Sequence, residues 1–149
     1  MAAGETNLEI SGGAGNTLPS SGRILVTGAS RGIGRHIAVG LARPRRTLIL
    51  VARTLDALED VASECEDRGA KVCTIACQLE NHDRLTHMLD IVKADGGADM
   101  VVNCAGIFGE EKLPWETDPD LWWQTQLVNV RAPYLIQHAL VPGMLERGD

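Results

Sequence analysis

At 149 residues, 44% of them apolar and 23% charged, the chain has room for one domain with its own core, and neither a disordered tail nor a membrane protein describes its bulk. Aromatic residues are only 3% while glycine numbers 16, a balance that favours an α/β protein over an all-β sandwich. The net charge of −6 argues against nonspecific partners such as nucleic acid or an anionic membrane surface.

Residues 1–21 are rich in Gly, Ser, Thr and Asn and hold too little apolar surface to offset the entropy of ordering, so a disordered N-terminal arm is expected there. From Arg23 the pattern changes to Ile24-Leu25-Val26-Thr27, an unalternated apolar run of the kind a parallel strand buried on both faces requires. Gly32 to Ala42 carries helical spacing through Ile33, Ile37, Val39 and Leu41, and Pro44 stops it. Thr47 to Ala52 is a second strand, and Thr54 is expected to cap a helix with Leu55, Leu58, Val61 and Ala62 on one face, closed by Gly69. Lys71 to Ala76 predicts a third strand, Asn81 to Ala94 an amphipathic helix stopped at Gly96-Gly97, and Met100 to Asn103 a fourth strand. After a polar loop to Thr117, Asp118 to Glu146 reads as one long helix despite Pro133 and Pro142. Strands alternating with helices imply a doubly wound parallel sheet.

Charge is distributed unevenly along this chain. Residues 22–53 hold seven arginines and no acid, whereas residues 54–149 hold seven Lys or Arg against 18 acids. The basic stretch is prepared for an anion. Within it, directly after the first strand, comes T-G-A-S-R-G-I-G, Thr27 to Gly34. In this order of strand, glycines and helix, Gly28 serves the tight turn and Gly32 the close approach of a pyrophosphate. Gly34 lets the helix pack close to the strand, and the helix N-terminus faces the phosphate. Ser30, Arg31 and Ile33 complete the candidate loop.

This stretch resembles the short-chain dehydrogenase/reductase family, in which T-G-x-x-x-G-x-G binds a nicotinamide cofactor. Asn103-Cys104-Ala105-Gly106 is similar to the N-N-A-G after that family's fourth strand, with Cys104 replacing the second Asn. Asn129, in Val128-Asn129-Val130, matches the active-site Asn. The resemblance runs from Arg23 to Arg147, about half of the ~250 residues associated with such a domain. It implies a Rossmann-type fold, C-terminally truncated, with four strands in the order 3-2-1-4, and residues 22–149 forming an incomplete domain. It also implies that Asn103, Ala105 and Gly106 lie against the cofactor.

The second strand ends Val51-Ala52-Arg53. A cofactor with a free 2′-hydroxyl is usually held there by an acid, whereas a 2′-phosphate needs a cation. Ala52 leaves no acid, and Arg31 and Arg53 each offer a bidentate fork, so NADP is expected over NAD. The alternative is that Arg53 merely solvates a strand end. Arg35, Arg43, Arg45 and Arg46 read as solvated surface charge. After the third strand the resemblance leads one to expect an acid toward adenine. Gln78 stands there instead, with an amide oxygen as acceptor, and Leu79 offers backbone contacts.

Family chemistry uses a Tyr proton donor, a Lys four residues later and an orienting Ser. The single tyrosine, Tyr134, is followed four residues on by His138, and Lys occurs only at 71, 93 and 112. Of the catalytic set only Asn129 is present, so the chain is expected to show no oxidoreductase turnover. A truncated product is expected, with a small carbonyl or alcohol as the substrate of a full-length form. The fourth strand is then left as an apolar edge from which self-association should follow. Two other readings are a silent nucleotide-binding fragment that senses cofactor or pairs with a full-length relative, and a fragment that does not fold.

Four cysteines (65, 73, 77, 104) without paired spacings, and no basic leader, point to the cytoplasm and no disulfides. Cys73, Cys77, His82 and His87 invite a zinc assignment. Four residues along one strand span ~13 Å, too far to share an ion. No metal is expected; these cysteines read as core and these histidines as helix surface. Cys104 reads as packing, with no base beside it. Trp122 and Trp123 are expected to bury against the sheet or a partner chain, and Trp115 to line a substrate mouth in a complete relative. Arg147-Gly148-Asp149 reads as a chance adhesion tripeptide.

Overall fold

The structure, a computed structural model, describes residues 22–148; the expected arm over residues 1–21 and the terminal Asp149 lie outside them. Four parallel strands, β1 (Gly22–Thr27), β2 (Arg46–Ala52), β3 (Lys71–Ala76) and β4 (Met100–Asn103), form one sheet in the order β3-β2-β1-β4. Register runs Ile24↔Leu48 and Ile24↔Met100 about the central β1. Successive residues of β1 serve opposite faces, as the strand period requires. Ile24 and Val26 join Leu48, Leu50, Leu58, Val61 and Cys65 on one face, while Leu25 joins Ile49, Val51, Leu85, Met88, Ile136 and Leu140 on the other. The expected four-strand doubly wound sheet and its order are therefore found.

Helix α1 (Gly32–Leu41) follows β1, α2 (Glu59–Asp67) follows β2, and α3 (His82–Ala94) follows β3. Asn81 caps α3, its side chain accepting from the Arg84 N–H at 3.1 Å. Gly69, at φ +87°, closes α2 with Ala70 N donating to the Cys65 carbonyl at 3.2 Å. Thr54 does not cap α2. A 3-10 turn at Asp56–Leu58 intervenes and carries no side-chain cap, because the chain leaving β2 tightens before α2 begins.

The long helix runs as α4 (Pro119–Gln126), a π-helical turn (Leu127–Arg131) and α5 (Ala132–Arg147). Asp118 caps it by accepting from Asp120 N at 2.8 Å, with Pro119 in the first turn. The wide turn has an identifiable cause. Pro133 has no N–H for the carbonyl of Asn129 four residues back, and just before it Ala132 N reaches the Leu127 carbonyl five residues back.

Three surface readings are corrected. Arg46 is 1% exposed, its guanidinium donating to the Leu41 carbonyl at 2.9 Å across the Pro44-Arg45 turn, where Arg45 takes φ +71°. Arg35 is not free in water but pairs with Glu64 of α2 at 2.6 Å. Trp122 and Trp123 do not bury against the sheet: they are exposed and stack on each other, centroids 6.0 Å apart.

All four cysteines are free thiols, Cys65 and Cys77 buried and Cys73 and Cys104 half-buried. His82 lies on the surface of α3, where its Nδ1 meets Arg131 at 3.0 Å, and His87 is exposed. Burial pushes the Cys77 thiol up to about 11 from an ordinary 9.0, and Cys65 moves in the same direction. A raised thiol favours the folded neutral form fully below pH 9.0, and that contribution is lost as pH rises toward 11. Cys77→Ala is expected to flatten the fall of the urea midpoint between those pH values. A slope identical in wild type and variant would contradict the buried assignment.

Among the described residues no helix is long and apolar enough to cross a membrane.

Candidate functional site

The chain builds β1, β2 and β3 in one direction and then crosses to the other side of β1 for β4. In a doubly wound sheet such a reversal opens a crevice beyond the carboxyl ends of the two central strands. The glycine loop and the Asn103–Gly106 segment are its two walls. Thr27 ties them together, its Oγ1 accepting from Ala105 N at 3.2 Å.

Each glycine of the loop answers a different constraint. Gly28 takes φ +64°, and a Cβ there would sit 2.8 Å from Ala105 Cα. At Gly34 a Cβ would lie 2.2 Å from the Gly28 carbonyl oxygen and 3.2 Å from Cys104 Cβ, so this glycine lets α1 close onto the turn and the opposite wall as well as the strand. Gly32, at φ +54°, faces open space with nothing within 4 Å. Beside it, Arg31 is the N-cap of α1 and makes no side-chain cap hydrogen bond, and the first turn holds no acid. The N-terminus of α1 therefore presents uncompensated N–H groups, the local chemistry of an anion site. Ile33, next in line, is 75% exposed.

Ser30, Arg31, Arg53 and Gln78 come together in one cleft of about 440 Å³. Arg31 and Arg53 are exposed and join none of the ion pairs found among the described residues. Ala52 is buried at the end of β2, and Leu79 is buried next to Gln78. Thr54 and Ala57 line the same cleft and were missed by the sequence reading. Thr54 directly follows Arg53 at a strand end, which was the available signal, but its hydroxyl was assigned to capping.

At the other wall, Asn103 Oδ1 is buried and has no hydrogen-bond partner among the described residues. Asn129 sits in the π-helical turn and clasps the backbone of Ile107, its Oδ1 accepting from Ile107 N at 2.9 Å and its Nδ2 donating to Ile107 O at 2.8 Å. Gly106 lies against the clasp, since a Cβ there would be 3.5 Å from Asn129 Oδ1. Asn129 does not line the Arg31–Arg53 cleft. A second cleft, of about 640 Å³, lies between the loop after β4 and α4 and contains none of the predicted residues. At its rim, hydrogen bonds from Lys112 and from the Asp118 N–H hold the Glu110 carboxyl below the usual range. No group of three or more His, Cys, Asp or Glu among the described residues is arranged to hold a metal ion.

Comparison with known proteins bears on this arrangement. The family model for short chain dehydrogenase matches residues 23–149. A short chain dehydrogenase of Pseudocercospora fijiensis is 35% identical over 125 residues, covering 83% of this chain and 40% of the relative. A fatty acyl-CoA reductase of Mycobacterium tuberculosis is 34% identical over 131 residues, covering 85% and 44%. Among solved structures, the L-sorbose reductase of Gluconobacter frateurii complexed with NADPH and L-sorbose superposes with a TM-score of 0.79 at 31% identity, covering 87% of this chain and 49% of that one. A metagenomic short-chain oxidoreductase in complex with NADP gives 0.78 at 32% identity, covering 84% and 57%. The chain thus spans about half the length of the relatives it matches. With the sheet order, the glycine loop and the Asn129 clasp all falling within the matched span, the chain belongs to the short-chain dehydrogenase family.

Proposed function

We propose that this chain is the cofactor-binding part of an NADP-dependent short-chain dehydrogenase/reductase that interconverts a carbonyl and an alcohol. One observation carries the reading: two unpaired arginines converge with Ser30, Thr54 and Gln78 in one cleft, where β2 ends without an acid. Relatives solved with NADPH and NADP support it. The cofactor supplies hydride when bound. Gly28, Gly32 and the N–H groups at the start of α1 hold the pyrophosphate, for which the open space at Gly32 leaves room. Arg31 and Arg53, with the Ser30 and Thr54 hydroxyls, hold the 2′-phosphate. Gln78 accepts from the adenine amino group, and Leu79 contributes backbone. Asn103, Ala105 and Gly106 form the far wall, and Asn129 fixes that wall by holding Ile107.

Turnover is not expected from the 149 residues. Tyr134 is partnered by His138 at 5.9 Å between ring centroids, and no Lys stands four residues after it. The test is a fluorescence titration of the purified chain with NADPH and NADH, followed by a carbonyl-reduction assay. Saturable NADPH binding, at least tenfold tighter than NADH and without reduction above buffer background, is the expected result. Equal affinity for the two cofactors would remove the NADP assignment, and measurable reduction would remove the inactivity.

A second reading, that the chain associates with a second copy of itself through an exposed sheet edge, is favoured by β4. It bonds only β1 among the described residues, its four residues are half-buried, and the Oδ1 of its last residue, Asn103, lacks a partner among them. An apolar strand open on one side is a template for pairing. Sedimentation of the purified chain is expected to show concentration-dependent association, weakened by Val101→Lys and Val102→Lys. A monomer at every concentration would contradict this reading.

A further inference from the structure

The cleft between the loop after β4 and α4 takes no part in the cofactor reading, and its chemistry is unlike that of the Arg31–Arg53 cleft. It encloses about 640 Å³, within the size range of small-molecule sites. Among the described residues that line it, none carries an unpaired charge. Its cation, Lys112, holds Glu110 at 2.8 Å, and the other oxygen of that carboxylate accepts from the Asp118 N–H at 3.3 Å. An anionic ligand would meet that carboxylate, and a cationic one would have to displace Lys112.

The remaining polar groups are neutral and stand beside an aromatic ring. The Thr117 and Thr125 hydroxyls donate to the Leu113 and Leu121 carbonyls at 3.2 and 3.0 Å, so each oxygen keeps its lone pairs as an acceptor. The Gln126 side-chain amide and the Trp122 indole N–H join none of the hydrogen bonds found among the described residues. Trp122 is 53% exposed and is steadied by its stack on Trp123. An alkyl chain would cover these donors and acceptors without pairing them, at a net cost. A compound bearing several hydroxyls meets them: its O–H groups donate to the threonines and to Gln126 and accept from the indole and the amide, while its C–H face packs on Trp122.

The cleft also adjoins the crevice. Gly109, on its wall, would place a Cβ 3.4 Å from Thr125 Oγ1, and Gly106, three residues back, would place one 3.5 Å from Asn129 Oδ1. One short segment therefore follows the long helix from the far wall of the crevice to this cleft, passing Ile107, which Asn129 clasps.

We propose that this cleft binds a neutral polyhydroxylated compound of the sugar and polyol class and forms the outer end of the substrate site. The ligand class rests on the lining alone, and the role as substrate site rests on the cofactor reading above. Trp122 and Gln126 are then the residues that determine specificity, and the carbonyl or alcohol end of the ligand lies toward Asn129.

The experiment is a two-dimensional NMR titration of the labelled 149-residue chain with fructose, with gluconate as the charged comparison and cyclohexanone as the apolar one. The same sample then receives NADP. Trp122→Leu and Gln126→Leu are run beside wild type; α4 has no buried residue, and circular dichroism confirms equal folding. Saturable fructose shifts at the Trp122 indole, the Gln126 side-chain amide, Gly109 and Thr125 are the expected result. Gluconate, cyclohexanone and each variant should bind at least about fivefold more weakly, with NADP binding unchanged in the variants. Fructose shifts that are absent, unsaturable or indifferent to both substitutions overturn the proposal, and NADP shifts at the glycine loop in that same sample leave the cofactor reading standing. Cyclohexanone binding as tightly as fructose overturns the ligand class. Fructose bound in the cleft of a folded chain that takes no NADP overturns the assignment to the substrate site, and the cofactor reading falls with it.

Discussion

A Gly34→Ala chain is expected to lose roughly 3 kcal/mol or more of stability, enough to unfold a marginal domain. The added Cβ would fall 2.2 Å from the Gly28 carbonyl oxygen, a backbone atom that cannot swing aside as a side chain can. Relief requires α1 to retreat from the turn, and with it from Cys104 on the opposite wall. Gly32→Ala makes the informative contrast. Its Cβ meets nothing within 4 Å, so the cost is confined to a left-handed backbone at φ +54°, about 1 kcal/mol. On the proposed cofactor reading the methyl group would intrude where the pyrophosphate would lie, so this variant should fold and lose cofactor affinity. Urea unfolding of both variants checks the pair. Equal destabilisation at the two positions would show that the close approach at Gly34 is not what fixes the turn.

Replacing Arg53 by Asp is expected to weaken NADPH binding on the order of a hundredfold, while NADH is little affected or gains. The reason is the cleft's charge balance: among the described residues lining it Arg31 and Arg53 are the cations, and Ala52 leaves the strand end without an acid. The substitution removes a charge-assisted hydrogen bond to a 2′-phosphate and sets a carboxylate there, which suits a 2′-hydroxyl instead. Parallel titrations with the two cofactors provide the measurement. A fall of equal size for both would mean that Arg53 merely solvates the end of β2.

Much of this was legible in the sequence because its signals were local. Unalternated runs such as Ile24–Thr27 announced buried parallel strands, and their alternation with amphipathic helices fixed the sheet class. Gly28 was read as a turn residue and Gly34 as a close-packing one, although the atoms they approach belong to Ala105 and to Gly28 itself, which no spacing could reveal. The failures were tertiary. Among clustered arginines nothing marked Arg46 as the one that turns inward, because its burial follows from the reversal at Arg45 and from the Leu41 carbonyl beyond it. Trp122 and Trp123 are apolar by type, yet they stand on α4, a helix with no buried residue. The segment around Pro133 was read as one unbroken helix, and only the structure places the wide turn at Asn129 and so explains how its side chain reaches Ile107.

The most direct test of the account is a two-dimensional amide NMR spectrum of the labelled chain recorded while NADP is added. Saturable shifts confined to Gly28, Ser30, Arg31, Gly32, Ile33, Gly34, Arg53, Thr54 and Gln78, with their neighbours along the crevice, are the predicted result. Shifts centred on the Pro114–Trp122 cleft instead, or none at all from a folded chain, would contradict it.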